Sequence, residues 1–278
     1  PLYVGDTFRH AVISIAGGPL SEVIVDTGSH GLVVPPQDVN IATLGAPGPT
    51  GMLHYGNSVD YREETYTSYT APVNLGNGII TKPTTVAVVT SLKVVQNGGP
   101  PITMPASEAP AFLGVGENTT GPIPSAVKAL PDTLGQGVLL NQPGGYFEFG
   151  ANPLPPGISV SGAPLATLDV TIGGNGQAPV TTTAPSAFID SGVPFGWVPQ
   201  DFLPSGQQGG AYVPAGDTIT VSYNGTTLFT ETVTGTAPEL PMVVSNTDPF
   251  NTGGYPFTQG PIYLSYSPSG TGTMVFDT

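Results

Sequence analysis

The sequence predicts an all-β protein made of two similar lobes, and three observations carry that expectation. Short segments rich in Val, Ile, Thr and Tyr recur along the chain, Gly and Pro punctuate them, and one stretch of the first half returns in the second. The strand candidates are 11–16, 21–25, 84–90, 166–172, 218–223 and 262–266, each bounded by Gly, Pro or Asn. Turns are expected at Gly17-Gly18-Pro19, Asn77-Gly78, Gly173-Gly174-Asn175-Gly176 and Asn224-Gly225. Helix signal is scarce: 124–130 (PSAVKAL, opening on a Pro) is the best candidate, and 199–203 has room for a single turn.

Composition limits the alternatives. With 39 Gly and 32 Pro, about a quarter of the 278 residues are turn formers, yet 38% are hydrophobic and no short G-x-y period runs through them. Intrinsic disorder requires low hydrophobicity, so the chain is expected to be folded, compact and turn-rich. A net charge of −14 has the wrong sign for nucleic acid or an anionic membrane face. No run approaches 18 apolar residues, so membrane insertion is not expected. Cysteine is absent, which removes disulfides, thiolate catalysis and Cys-ligated zinc. His10, His30 and His54 lack metal-ligand spacing, and neither a metal nor any other cofactor is expected. The start at Pro1, without an initiator Met, reads as a mature product or a piece of a longer chain. In acid, five Lys/Arg and three His leave only about +8, so self-repulsion at low pH stays modest.

The internal repeat is the most informative feature. Val23-Ile24-Val25-Asp26-Thr27-Gly28 is followed by Val34-Pro35, and Ala187-Phe188-Ile189-Asp190-Ser191-Gly192 by Val198-Pro199 at the same spacing. Chance alone gives roughly 0.3 Asp-[Ser/Thr]-Gly tripeptides in this composition, and one copy reads as an ordinary turn. Two copies in matching flanks read as one supersecondary unit used twice. The Pro-rich stretch 152–157 separates them, giving lobes of 1–153 and 154–278.

A pseudo-dyad between such lobes brings two carboxylates together. Like charges that close share one proton, so the pair offers a base and an acid on either side of a water. At these residues the sequence resembles the pepsin-like aspartic proteases: 21–36 (SEVIVDTGSHGLVVPP) resembles the first catalytic motif of that family and 186–199 (SAFIDSGVPFGWVP) the second. Phe112-Leu113-Gly114, 124–130 and 145–150 (GYFEFG) resemble later elements of the first lobe. The Cys-free, Gly/Pro-rich character is most similar to the aspartic-protease domains at the C-termini of mycobacterial PE-PGRS surface proteins.

The resemblance implies a bilobal pepsin-like fold with an active-site cleft between pseudo-symmetric lobes, and an aspartic endopeptidase acting on protein or peptide in extended conformation. It implies Asp26 and Asp190 as catalytic dyad, Thr27 and Ser191 as hydroxyls bracing the two loops, and Gly28 and Gly192 as the close-approach positions. Ser29 is implied as a donor to Asp26, and Tyr55-Gly56 as the flap, with Tyr61 a rival. It further implies an extracellular, cell-surface location and a monomer attached to a larger chain. The alternative is a weak or inactive pepsin-like domain serving as a binding or adhesion module.

The sequence departs from the family at four places. Val193 stands where Ser or Thr is usual, so Asp190 is expected to lack a side-chain donor and to be the more readily protonated carboxyl. Val33 replaces the usual Trp that partners the flap Tyr, and Tyr55 follows Asp26 at a shorter spacing than in pepsin. The second apolar-apolar-Gly element has no clear counterpart around Gly253-Gly254-Tyr255.

Overall fold

The computed structural model describes residues 3–5, 8–119, 121–266 and 271–277. All six candidate segments are strands: Phe8–Ile15, Leu20–Asp26, Thr84–Val95, Leu165–Gly174, Thr218–Tyr223 and Ile262–Ser265. Leu165–Gly174 alternates buried and less buried positions along most of its length, as a strand with one face on a core must. Asn77-Gly78, Asn175-Gly176 and Asn224-Gly225 each have φ near +50° and +78°, the mirror-image turn whose twist suits hairpins.

The expectation of a helix over 124–130 needs correction. Residues 124–130 hold only a 3₁₀ turn, Ala126–Ala129, capped by the Ser125 hydroxyl. Pro131 ends it, because the residue before a proline is driven out of the helical region and Leu130 is extended (φ −64°, ψ 147°). Residues 199–203 hold the 3₁₀ turn Gln200–Phe202. The α-helix among the described residues is Tyr255–Gln259, five residues long, with Phe257 fully buried.

The first half forms a ten-stranded sheet whose main path runs Tyr3–Gly5, Phe8–Ile15, Leu20–Asp26, Phe112–Val115, His30–Val34, Thr84–Val95, Tyr61–Ala71, Thr50–Gly56. The second half contributes a four-stranded sheet and a separate parallel pair, Trp197–Pro199 with Met242–Val244. A five-stranded sheet draws on both halves: Gly137–Asn141 and Tyr146–Phe149 join Ile158–Ser161, Ile262–Ser265 and Thr273–Phe276. A continuous buried apolar cluster reaches from Ile13 and Val25 through Leu140 and Val160 to Ile189 and Phe257.

Strand pairing places the motifs. Phe112–Val115 lies between Leu20–Asp26, to which it is parallel, and His30–Val34, to which it is antiparallel. Phe112 therefore faces Ile24, two residues before Asp26, and Val33, seven residues after it. In the second half Asn251 faces Phe188 and Trp197, which stand two before and seven after Asp190. The counterpart of Phe112-Leu113-Gly114 is thus Asn251-Thr252-Gly253. It begins two residues before Gly253 and carries Asn and Thr where the first lobe has Phe and Leu, so it lacks the apolar-apolar-Gly pattern. Both glycines are sterically required: a Cβ on Gly114 would lie 2.6 Å from the His30 backbone, and one on Gly253 would strike the backbone of Phe195 and Gly196.

Candidate active site

Asp26 ends the strand Leu20–Asp26, and Asp190 follows Gln177–Phe188 by two residues. Both are almost fully buried. A Cβ on Gly28 would sit 2.5 Å from Asp190 Cγ, and one on Gly192 would collide with the Asp26 carboxyl. Each carboxyl therefore packs against the glycine of the other motif, and the structure brings the two predicted Asp residues together.

The loops carrying them are braced reciprocally. Thr27 Oγ1 donates to Ile189 O (2.7 Å) and accepts from Ser191 N (2.9 Å). Ser191 Oγ donates to Val25 O (2.7 Å) and accepts from Thr27 N (3.0 Å). Both residues have no solvent exposure.

The donors on the two carboxyls match in number. Asp26 accepts from Gly28 N (2.7 Å) and Ser29 Oγ (2.5 Å). Asp190 accepts from Gly192 N (2.8 Å) and Asn251 Nδ2 (2.7 Å). Val193 contributes no side-chain donor, yet Asp190 is not short of one, because Asn251 takes that place from the opposite strand. The expected donor deficit at Asp190 is corrected accordingly. At Asp26, burial first and the negative charge of Asp190 second push the carboxyl far above the ordinary carboxylate range.

Thr50–Gly56 and Tyr61–Ala71 form a hairpin that reaches over the dyad, with Asn57–Asp60 as its tip. Tyr55 stacks on Phe112 with ring centroids 5.0 Å apart, and the Arg62 guanidinium lies over both rings, 5.4 and 4.6 Å from their centres. The aromatic partner removed at Val33 is thus replaced by Phe112 and Arg62, while Val33 is wholly buried beside Phe112. Burial, the Glu64 charge and the Asp26 charge hold the Tyr55 phenol proton in place, so Tyr55 lies within electrostatic reach of the dyad. Its rival Tyr61 stacks on His54 (4.8 Å) nearer the tip.

The hairpin covers a cleft of about 1150 Å³ lined by Asp26, Asp190, Tyr55, Gly56, Tyr61 and Trp197 among others. Trp197, the pseudo-symmetric counterpart of Val33, both lines the cleft and packs, donating its indole N–H to Pro249 O (2.8 Å). His30 lies at the rim: Nε2 bonds Gly121 O (2.8 Å) and Nδ1 bonds Thr119 Oγ1 (2.9 Å). A carbonyl only accepts, so Nε2 carries the proton and Nδ1 accepts from the hydroxyl.

The flap tip is fastened to the opposite lobe. Ser58 N donates to Asp248 Oδ1 (3.0 Å), Ser58 Oγ bonds Asp248 Oδ2, and Asn57 Nδ2 points at Met242 Sδ (3.8 Å). Asp248→Ala is expected to raise amide hydrogen exchange at residues 57–60 at least severalfold while shifting global stability by no more than ~1 kcal/mol. Exchange unchanged at the tip would show that these bonds do not hold the flap.

The PE-PGRS C-terminal aspartyl peptidase-like domain family matches residues 1–274. The chain belongs to this family. A curated relative, PE cleavage protein A of Mycobacterium tuberculosis, is 38% identical over 300 residues, covering 99% of this chain and 50% of the relative. The protein of the same name from Mycobacterium marinum is 37% identical over 288 residues, covering 95% and 49%. The chain thus spans about half the length of the curated relatives it matches. Among solved structures, the aspartic proteinase from Irpex lacteus superposes with a TM-score of 0.62 at 13% identity, covering 98% of this chain and 94% of that one. That likeness concerns the fold: a bilobal, nearly all-β aspartic proteinase architecture.

Asn251, Thr252 and Arg62 belong to the site and were not anticipated. Thr252 Oγ1 accepts from Asp190 N (3.2 Å), so both polar residues of Asn251-Thr252-Gly253 serve Asp190. The available signal was the pseudo-symmetric offset: 86 residues separate Asp26 from Phe112, but only 61 separate Asp190 from Asn251.

Proposed function

We propose that this domain is an aspartic endopeptidase in which Asp26 and Asp190 share one proton across a water. The observation that carries the reading is the packing of each carboxyl against the other motif's glycine, beneath a flap tyrosine. The ionised carboxyl accepts a proton from the water as its oxygen attacks the scissile carbonyl, while the protonated carboxyl donates a hydrogen bond to that carbonyl. The tetrahedral intermediate collapses as a proton passes to the leaving amine, giving a carboxylic acid and an amine. Thr27 and Ser191 keep the carboxyls in register, Gly28 and Gly192 allow the approach, and Ser29 and Asn251 orient the outer oxygens. Tyr55 and Gly56 carry the flap over an extended peptide held by main-chain pairing.

The lobes are taken as 1–153 and 154–278, and the domain as a monomeric part of a longer chain at the bacterial cell surface. The relatives' name, PE cleavage protein A, agrees with a cleaving activity in that family. The test is a peptide library at pH 3–7 with the wild type, Asp26→Ala and Asp190→Ala. Either substitution is expected to lower kcat/KM by about 10²–10⁴-fold or more. A second reading, peptide binding without turnover, draws on the flap tip bonded across the cleft to Asp248. Saturable binding with no cleavage in the wild type at any pH would favour it.

A further inference from the structure

Arg9 is a buried cation that the mechanism above leaves unused. It lies on the strand Phe8–Ile15 of the first lobe and is 3% exposed. Its guanidinium runs under the second motif, donating to Gly254 O at 2.5 Å and Ser191 O at 3.4 Å. The Phe257 ring packs against it, 5.5 Å from ring centre to Cζ. Gly254 is shaped to admit it, since a Cβ there would run into the guanidinium. Nε has no hydrogen-bond partner, so this charge is held in a dry site by two carbonyls and a ring.

Such a charge is costly to bury unless something offsets it. Desolvation lowers the guanidinium to about 10, and the charge that raises it is Asp190. The environment of Asp26 differs. Arg62 reaches toward it from the flap strand, but its guanidinium lies over the stacked rings of Tyr55 and Phe112 and bonds neither loop of the dyad. Hydrogen bonding does not distinguish the two carboxyls, because each has one backbone and one side-chain donor. The remaining asymmetry is the cation beneath Ser191.

We propose that Arg9 is a positioning residue of the dyad: its buried charge under the second motif holds Asp190 as the anion and leaves the shared proton on Asp26. The inference deepens the peptidase reading and rests on it for its consequence. Asp190 then acts as base toward the water, and Asp26 as the acid that polarises the carbonyl. The assignment is the reverse of the one expected from Val193.

The test is carboxyl ¹³C NMR of Asp-labelled protein from pH 3 to 9, with each carboxyl assigned in the wild type by through-bond correlation to its own backbone amide, alongside kcat/KM profiles. In the wild type, the resonance still protonated near neutral pH is expected to be that of Asp26. Arg9→Met is expected to move the acid limb of kcat/KM and the matching carboxyl titration up by about one pH unit or more, with Arg9→Lys in between. Assignment of that resonance to Asp190 instead would overturn the proposal. So would a folded Arg9→Met domain with both titrations unmoved. If Arg9→Met does not fold, the wild-type assignment alone still decides. A domain that titrates as expected but cleaves nothing would refute the peptidase reading and leave the proton assignment standing.

Discussion

Thr27→Val is expected to cost about 2–6 kcal/mol of stability. The substitution keeps the shape and removes one hydroxyl, which leaves Ser191 N and Ile189 O without the partner seen at 2.9 and 2.7 Å. Thr27 has no exposed surface, so water does not replace the hydroxyl. Each buried polar group left unpaired costs about 1–3 kcal/mol. In a chain of this size the loss corresponds to a fall in Tm of roughly 5–20 °C. Thr27→Ser keeps the hydroxyl and loses a methyl, so it is expected to cost only about 1 kcal/mol. Ser191→Ala removes the reciprocal bonds to Val25 O and Thr27 N and belongs to the same bracket. The double variant should therefore fall short of the sum of the singles by ~1 kcal/mol or more. Thermal unfolding measures all four. A Val variant within ~1 kcal/mol of the wild type would mean that the hydroxyl bracket does not join the loops.

The bracket also shows why part of the site was legible in the sequence. Its four hydrogen bonds use residues inside the two Asp-[Thr/Ser]-Gly motifs or one position before them, so a local repeat encodes a long-range contact. The strands follow for a similar reason: alternation and Asn-Gly turns are local signals, and they place the ends within a few residues. Asn251 was not legible because it reaches Asp190 across 61 residues, and its polar character hides the element that pairing with Phe188 and Trp197 reveals. Arg9 is farther still, 182 residues from Ser191, on a strand where an arginine reads as a solvated side chain. The helix Tyr255–Gln259 escaped because five residues carry almost no periodicity, and so short a helix depends on the packing of Phe257. The expectation at 124–130 failed for a local reason that was present in the sequence, namely Pro131 acting on Leu130.

Stability is expected to fall as pH rises from about 4.5 to 8, and Glu64 supplies the clearest share. Glu64 sits on the strand Tyr61–Ala71 between Leu53 and Leu92, with its side chain inaccessible to solvent. Both carboxyl oxygens lack a hydrogen-bond partner, and Arg62 Nε is 3.7 Å away. Burial pushes the carboxyl from 4.5 up to about 7, against a smaller downward pull from Arg62. The native state thus keeps a proton that the unfolded chain releases above about pH 4.5. The stabilisation is complete below that pH and is lost as pH rises through about 7. A shift of this size is worth about 3 kcal/mol. Asp26 is raised in the same direction, as is Glu231, which burial carries to about 7. The net charge of −14 adds repulsion over the same pH range, but salt separates the two causes: self-repulsion is screened, whereas desolvation of a buried carboxylate is not. Glu64→Gln mimics the protonated acid, so it is expected to leave stability at pH 4.5 almost unchanged and to raise it by up to about 3 kcal/mol at pH 8. Denaturant unfolding at both pH values, with and without 0.5 M salt, reads the difference. A Gln variant that keeps the wild-type slope in high salt would show that Glu64 is ionised in the native state at no cost.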